Sequence, residues 1–212
     1  MKKVAILLTC VLLVFSLSAC YGNQTTSSGQ NSSATEILNV AADKNTYEKL
    51  TDVEANSGII VEGIVKKNLG QEVNTYYDPK FKKNLPTSGW TNWQVEVTKV
   101  YKGDVKVGDK ITYGQDYYIR DYDNGKKQLI SITAQKPVQL NEKYLLFLSY
   151  DEGLKKYCAT GDYEGKFAIP SDELKAKGRS GTVTQKDLDL YENEKLFSIQ
   201  SIYKEVVEKY FK

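Results

Sequence analysis

Histidine is absent from all 212 residues. That removes a His-based triad, a His-ligated metal and a histidine pH switch from consideration. Three cysteines and four prolines are too few for a disulfide-dense scaffold or a proline-rich linker protein. A surplus of one charge is missing too: 29 basic side chains stand against 27 acidic ones, a formal net of +2. A dominant phosphate-binding surface needs more than that, so no nucleic-acid partner is expected. The N-terminal apolar run, Val4 to about Phe15, falls short of the roughly 20 residues that span a bilayer.

What is present starts at the N-terminus, with Met1–Cys20 reading MKKVAILLTCVLLVFSLSAC. Lys2 and Lys3 form a positive n-region and the apolar run an h-region of export length. Leu17-Ser18-Ala19-Cys20 resembles the lipobox of bacterial lipoproteins. The resemblance implies cleavage between Ala19 and Cys20 and attachment of diacylglycerol to the Cys20 thiol. Two acyl chains give stable anchoring, at ~0.8 kcal/mol per buried methylene. The expected location is the extracytoplasmic face of the cell membrane, lipid-anchored, with the membrane itself a partner through Cys20. Removing Lys2 and Lys3 takes the basic residues from 29 to 27, equal to the 27 acidic ones. The mild basicity thus belongs to the export signal.

Cys10 leaves with the signal, and Cys158 is then the only cysteine besides the acylated one. An intramolecular disulfide is excluded. With no histidine to activate it, Cys158 reads as a buried, inert residue of a strand. Residues 21–35, YGNQTTSSGQNSSAT, cannot bury enough apolar surface to offset ordering entropy. We divide the chain into a signal peptide (1–19), an acylated cysteine with a flexible tether (20–44) and one domain (45–212).

Within the domain, Asn45 or Thr46 can cap a helix over 47–55, with Tyr47, Leu50 and Val53 along one side. Residues 59–67 read as a β-branched strand with a bulge at Gly63. The polar stretch 69–89 reads as a long loop. Trp93, Val95 and Val97 alternate with polar residues, as in a half-buried strand. Further strands are expected over 111–118, 129–132, 144–148, 157–160 and 166–169. Tyr144–Leu148 is apolar on both faces, as a central strand should be. The stretch from Pro170 to Gly181 reads as irregular. Ile199, Ile202, Tyr203, Val206, Val207 and Tyr210 fall at helical spacing over 198–211, an amphipathic helix expected to pack on the domain. The fold class that follows is mainly β: a small OB-like barrel with a short N-terminal helix and a C-terminal amphipathic helix.

Five fragments in order carry a further likeness. They are Val61-x-Gly63-x-Val65, Trp93-x-Val95-x-Val97-x-x-Val100-Tyr101-Lys102-Gly103, Val107-Gly108-Asp109-x-Ile111, Glu142–Leu148 and Gly161-x-x-x-Gly165-Lys166-Phe167. Over residues 58–169 the chain resembles the OB-fold barrel of netrin-like, TIMP-like domains of bacterial surface proteins. Metalloproteinase inhibitors of that family chelate zinc with the free amine of an N-terminal cysteine. Here the equivalent Cys20 would be acylated and set apart by the tether, and the family's disulfides cannot form. The resemblance implies the fold and not protease inhibition.

Asp121-x-Asp123-Asn124-Gly125 places its glycine one position early for a calcium loop and has no glutamate at the twelfth place, so it reads as a hairpin turn. No metal or cofactor is expected. Glu62 and Glu96 are candidate carboxylates for a cell-wall hydrolase, although neither differs from a solvent-facing strand residue. Aromatics are in surplus: 16 Tyr, 6 Phe and 2 Trp. Tyr76, Tyr77, Trp90, Tyr113, Tyr117, Tyr118 and Tyr122 fall near loops and strand ends, as candidates for a ligand face. Tyrosine also simply suits half-exposed strand positions. The expected function is a non-enzymatic, membrane-anchored module binding surface proteins or glycans. The alternatives are the carboxylate-dependent hydrolase and a pheromone precursor released from residues 12–19 of the signal.

Overall fold

The run Tyr144–Leu148 is buried at every residue, which explains why it lacks any polar alternation: it is a wall shared by two cores. The computed structural model describes residues 36–40, 45–133, 135–191 and 196–212. The signal, Cys20, the candidate pheromone segment and the tether up to residue 35 lie outside the described residues. In chain order the elements are β1 (Glu36–Asn39), α1 (Leu50–Asn56), β2 (Ile59–Asp78), β3 (Lys83–Lys102), β4 (Lys110–Gln115), β5 (Tyr117–Asp121), β6 (Lys127–Ser131), β7 (Lys143–Asp151), β8 (Lys156–Ala159), β9 (Lys166–Ala168), α2 (Asp172–Ser180) and α3 (Leu196–Tyr210).

Five of the strands form a ring in the order β2-β3-β4-β8-β7, closed by pairing of β7 with β2. All contacts in it are antiparallel except β4–β8. This is a small OB-like barrel, and it closes unevenly: the β4–β8 seam has two residue pairs, Tyr113↔Tyr157 and Gly114↔Cys158. The alternation of Trp93, Val95 and Val97 turns these side chains inward, where they meet Val61, Val65, Ile111, Tyr144 and Leu146. Val138, from the segment between β6 and β7, also joins this core.

The opposite face of β7 carries Leu145 and Phe147 into a second core with Leu50 and Val53 of α1 and the apolar stripe of α3. Ile199, Ile202, Tyr203, Val206 and Val207 are at most 2% exposed, each adding about 2 kcal/mol of burial. The C-terminal helix packs on the domain as its spacing predicts.

Several expectations change. Helix α1 begins at Leu50 with Lys49 as its N-cap, not near Thr46. The Tyr47 N–H is instead donated to Glu164 Oε1 at 2.8 Å, which holds 45–49 out of the helix. The expected strand 111–118 is two strands, β4 and β5, broken at Asp116. The stretch 170–181 is helical: the Ser171 hydroxyl caps α2 by accepting from the Leu174 N–H, and Gly181 ends it in the left-handed region. Glu36–Asn39, within the stretch assigned to the tether, pairs in parallel with β6, making a three-stranded sheet β1-β6-β5. The largest change is 69–89. It is no loop but the outer half of a hairpin of two 20-residue strands, β2 and β3.

Candidate binding surface

The hairpin becomes an arm because its neighbours stop. β7 pairs with β2 only as far as Ile64, and β4 pairs with β3 only as far as Thr91. From Gln71 and Thr91 outward the two strands pair with each other alone, to Asp78 and Lys83.

At the arm's root, on the outer face of the barrel, Lys156 is 3% exposed although charged. Its Nζ donates to Glu72 Oε1 and to Asn92 Oδ1, each at 2.9 Å, and stands 4.8 Å from the centre of the Trp90 ring. Glu72 completes the clamp: Oε1 accepts from Asn92 Nδ2 at 2.6 Å and Oε2 from Trp90 Nε1 at 3.2 Å. The Lys156 hydrogen bond, above all, holds the Glu72 carboxyl below its ordinary range. The lysine stem crosses Gly114, where a Cβ would stand 2.7 Å from Lys156 Cδ. Only glycine lets the stem lie that close.

The other face of the arm rests on β5. Thr91 Oγ1 donates to the Tyr117 carbonyl at 2.9 Å. The Gln71 amide bridges both backbone groups of Ile119, donating to its carbonyl and accepting from its N–H at 2.9 Å each. Gly89 admits the Tyr118 ring, whose Cδ1 would lie 2.7 Å from an added Cβ.

At the free end the chain reverses through 78–83. Asp78 Oδ1 accepts from the N–H groups of Lys80 and Phe81 at 2.8 and 3.2 Å. Its Oδ2 accepts from the Tyr76 hydroxyl at 3.0 Å. Hydrogen bonds from the Phe81 N–H foremost, then from Tyr76 and the Lys80 N–H, keep the Asp78 carboxyl below its ordinary range. Lys82 closes the turn in the left-handed region at φ 51°.

The seven candidate aromatics divide between surface and interior. Tyr76 and Tyr77 are exposed at the arm's end, and Trp90 is half-buried at its root. Tyr122 is exposed on the β5–β6 turn, with the Arg120 guanidinium 4.8 Å above its ring. Tyr113, Tyr117 and Tyr118 are 0%, 6% and 5% exposed, so their rings support the surface from beneath and do not form it. Burial pushes the Tyr117 phenol up to about 12 and Tyr113 well above its ordinary value. Sequence reasoning missed Glu72, Asn92 and Lys156, which lie up to 84 residues apart, and it missed Phe81. No local pattern announces a lysine that will be buried.

The candidate carboxylates are placed differently. Glu62 is 8% exposed; it accepts from the Tyr101 hydroxyl and pairs with Lys143, both at 2.6 Å. Burial works to raise its pKa, but the bonds from Lys143 and Tyr101 and the charge of Lys99 outweigh it and hold the carboxyl below the ordinary range. That suits a fixed ion pair better than a proton donor. Glu96 lies in register with Ile64 on β2 and Lys110 on β4. The 121–125 segment forms the turn of the β5–β6 hairpin, with the Tyr122 N–H donating to the Lys126 carbonyl at 2.9 Å. Among the described residues no cluster of His, Cys, Asp or Glu could hold a metal ion. None of their helices is long and apolar enough to cross a membrane.

No protein-family model matches the chain, and no curated protein matches it.

Proposed function

We propose that the chain is a membrane-anchored extracytoplasmic lipoprotein, held through acylated Cys20, that works as a non-enzymatic binding module for surface glycans or proteins. The lipobox carries the anchoring. One observation carries the binding: Trp90 stands half-buried on β3 at the root of the arm, its Nε1 on the same Glu72 carboxylate that accepts from the Asn92 amide. OB barrels engage oligosaccharides and oligonucleotides on the face of their second and third strands, here β3 and β4, and on the flanking loops. The near-neutral charge disfavours a polyanion and favours a polyhydroxylated chain, which stacks on an aromatic ring and hydrogen-bonds to amides and carboxylates. Gln94, two residues beyond Asn92 along β3, extends the same face.

The test is retention of wall polysaccharide fragments and cross-linked surface proteins by the chain. Trp90→Ala and Gln94→Ala are expected to weaken glycan retention by about tenfold or more. Recovery of no glycan or protein above background, or undiminished retention by both variants, would end this reading.

A further inference from the structure

The three most exposed aromatic side chains among the described residues are Tyr77 (60%), Phe81 (59%) and Tyr76 (48%), and all three stand at the free end of the arm. Lys80, Lys82 and Lys83 are exposed in the same turn. The single acid there, Asp78, has both oxygens engaged by Tyr76 and by two backbone N–H groups. A chain that balances its charges after residue 19 thus gathers three lysines and three aromatics within eight residues.

We propose that this turn is a membrane foot, seating Tyr77 and Phe81 at headgroup depth in an anionic phospholipid surface while the three lysines meet its phosphates. One observation favours a membrane over a protein face. Tyr76 and Tyr77 are consecutive in an extended strand and so point to opposite sides of the ribbon. The end is aromatic on both sides, which suits entry into a continuous medium and not apposition to one flat surface. Aromatic rings settle at that depth, and lysines there are drawn to anionic lipid. The foot goes beyond the acyl anchor and does not depend on it.

The test is sedimentation of residues 21–212 with vesicles. That chain keeps every described element and both cores, and it lacks the apolar signal, which would bind lipid itself. It is expected to bind vesicles of phosphatidylcholine with about one third phosphatidylglycerol, to release with added salt, and to bind pure phosphatidylcholine far less. The exposed double variant Y77S/F81S and the triple variant K80Q/K82Q/K83Q should each lose about tenfold or more in affinity, with unchanged melting curves showing that they fold. Three results would each overturn the proposal: no binding by the parent chain, equal binding to both vesicle types, or binding untouched by either variant. Turn-dependent capture of a protein or wall polymer without vesicle binding would reassign the turn to that partner.

Discussion

Lys156 Nζ stands 2.9 Å from Glu72 Oε1 across 84 residues of sequence, the lysine side chain 3% exposed and the glutamate 57%. The buried partner depends on the pair, whereas the exposed one can fall back on water. Lys156→Met, which keeps the stem over Gly114, should therefore cost only about 1–2 kcal/mol. Hydrogen exchange should quicken in the arm, 70–92, and stay unchanged in β7. The depressed Glu72 pKa gives the clamp a sign with pH. Its contribution is complete above the ordinary carboxylate range and is lost as pH falls through the lowered folded value, so arm protection should fail first in acid.

Glu164 shows the reverse sign. Fully buried, it accepts from the N–H groups of Tyr47, Asp162 and Tyr163 at 2.8, 3.0 and 3.0 Å. Burial raises its pKa despite these bonds. A carboxyl raised on folding stabilises most below its unfolded pKa and loses that contribution as pH rises through the folded one. Glu164→Gln should lower the melting temperature, since an amide nitrogen now faces an N–H donor at a cost of about 1–3 kcal/mol. The same variant should flatten the melting profile as pH rises through and above the ordinary carboxylate range.

Lys166, 2% exposed, donates to Asp189 Oδ2 at 3.1 Å and to the Lys136 carbonyl at 2.8 Å. Asp189 holds φ 57°, a conformation asparagine tolerates, so Asp189→Asn removes the charge without backbone strain. Urea unfolding at neutral pH should show a loss of about 3 kcal/mol, and Lys166→Met combined with Asp189→Asn should recover most of it, because no buried charge is then left unpaired. Burial lowers the Lys166 pKa. The loss in Asp189→Asn should therefore shrink as pH rises toward the ordinary lysine value, where the amine sheds its proton.

The C-terminal helix is latched by Tyr210. Its ring stands edge-on to Tyr101 and Phe147 at centroid distances of 4.8 and 5.5 Å, and its hydroxyl donates to Glu54 Oε1 at 2.6 Å. Tyr210→Phe keeps the ring contacts and should cost about 1.5 kcal/mol. Tyr210→Ala should cost about 3 kcal/mol. A common value for both in denaturant titrations would place the whole contribution in the hydroxyl.

Cys20→Ser removes the acyl acceptor. Fatty-acid labelling of cells producing the chain should mark the parent and not the variant, and the variant should leave the membrane fraction. Labelling of both would refute the lipobox reading without bearing on the vesicle experiment.

Strands and helices were readable from the sequence wherever burial is one-sided or complete. Trp93, Val95 and Val97 alternate because one face meets the barrel core; Tyr144–Leu148 does not alternate because both faces are covered. The arm escaped for the same physical reason. Most of Leu69–Gly89 is bathed by solvent on both faces, so no apolar period marks it, and what makes it a strand is cross-strand backbone pairing. Helix α2 was missed differently: the Ser171 cap and the Gly181 terminus were present, but a polar composition concealed them. Of the binding surface, the exposed tyrosines were legible as candidates. The clamp beneath Trp90 was not, because Glu72, Asn92 and Lys156 meet only through the register of three strands.

The arm also has a mechanical consequence. From Gly70 to Asp78 an extended strand covers roughly 26 Å at ~3.3 Å per residue. A pivot of about 10° at the root would swing the far end through some 5 Å, more than the length of a hydrogen bond. The clamp is therefore a stiffness element: it sets where the aromatic end stands while touching none of the surface that end meets. A ligand pressing on Trp90 would load this lever beside its fulcrum at Lys156, whereas a surface holding the turn would load its far end.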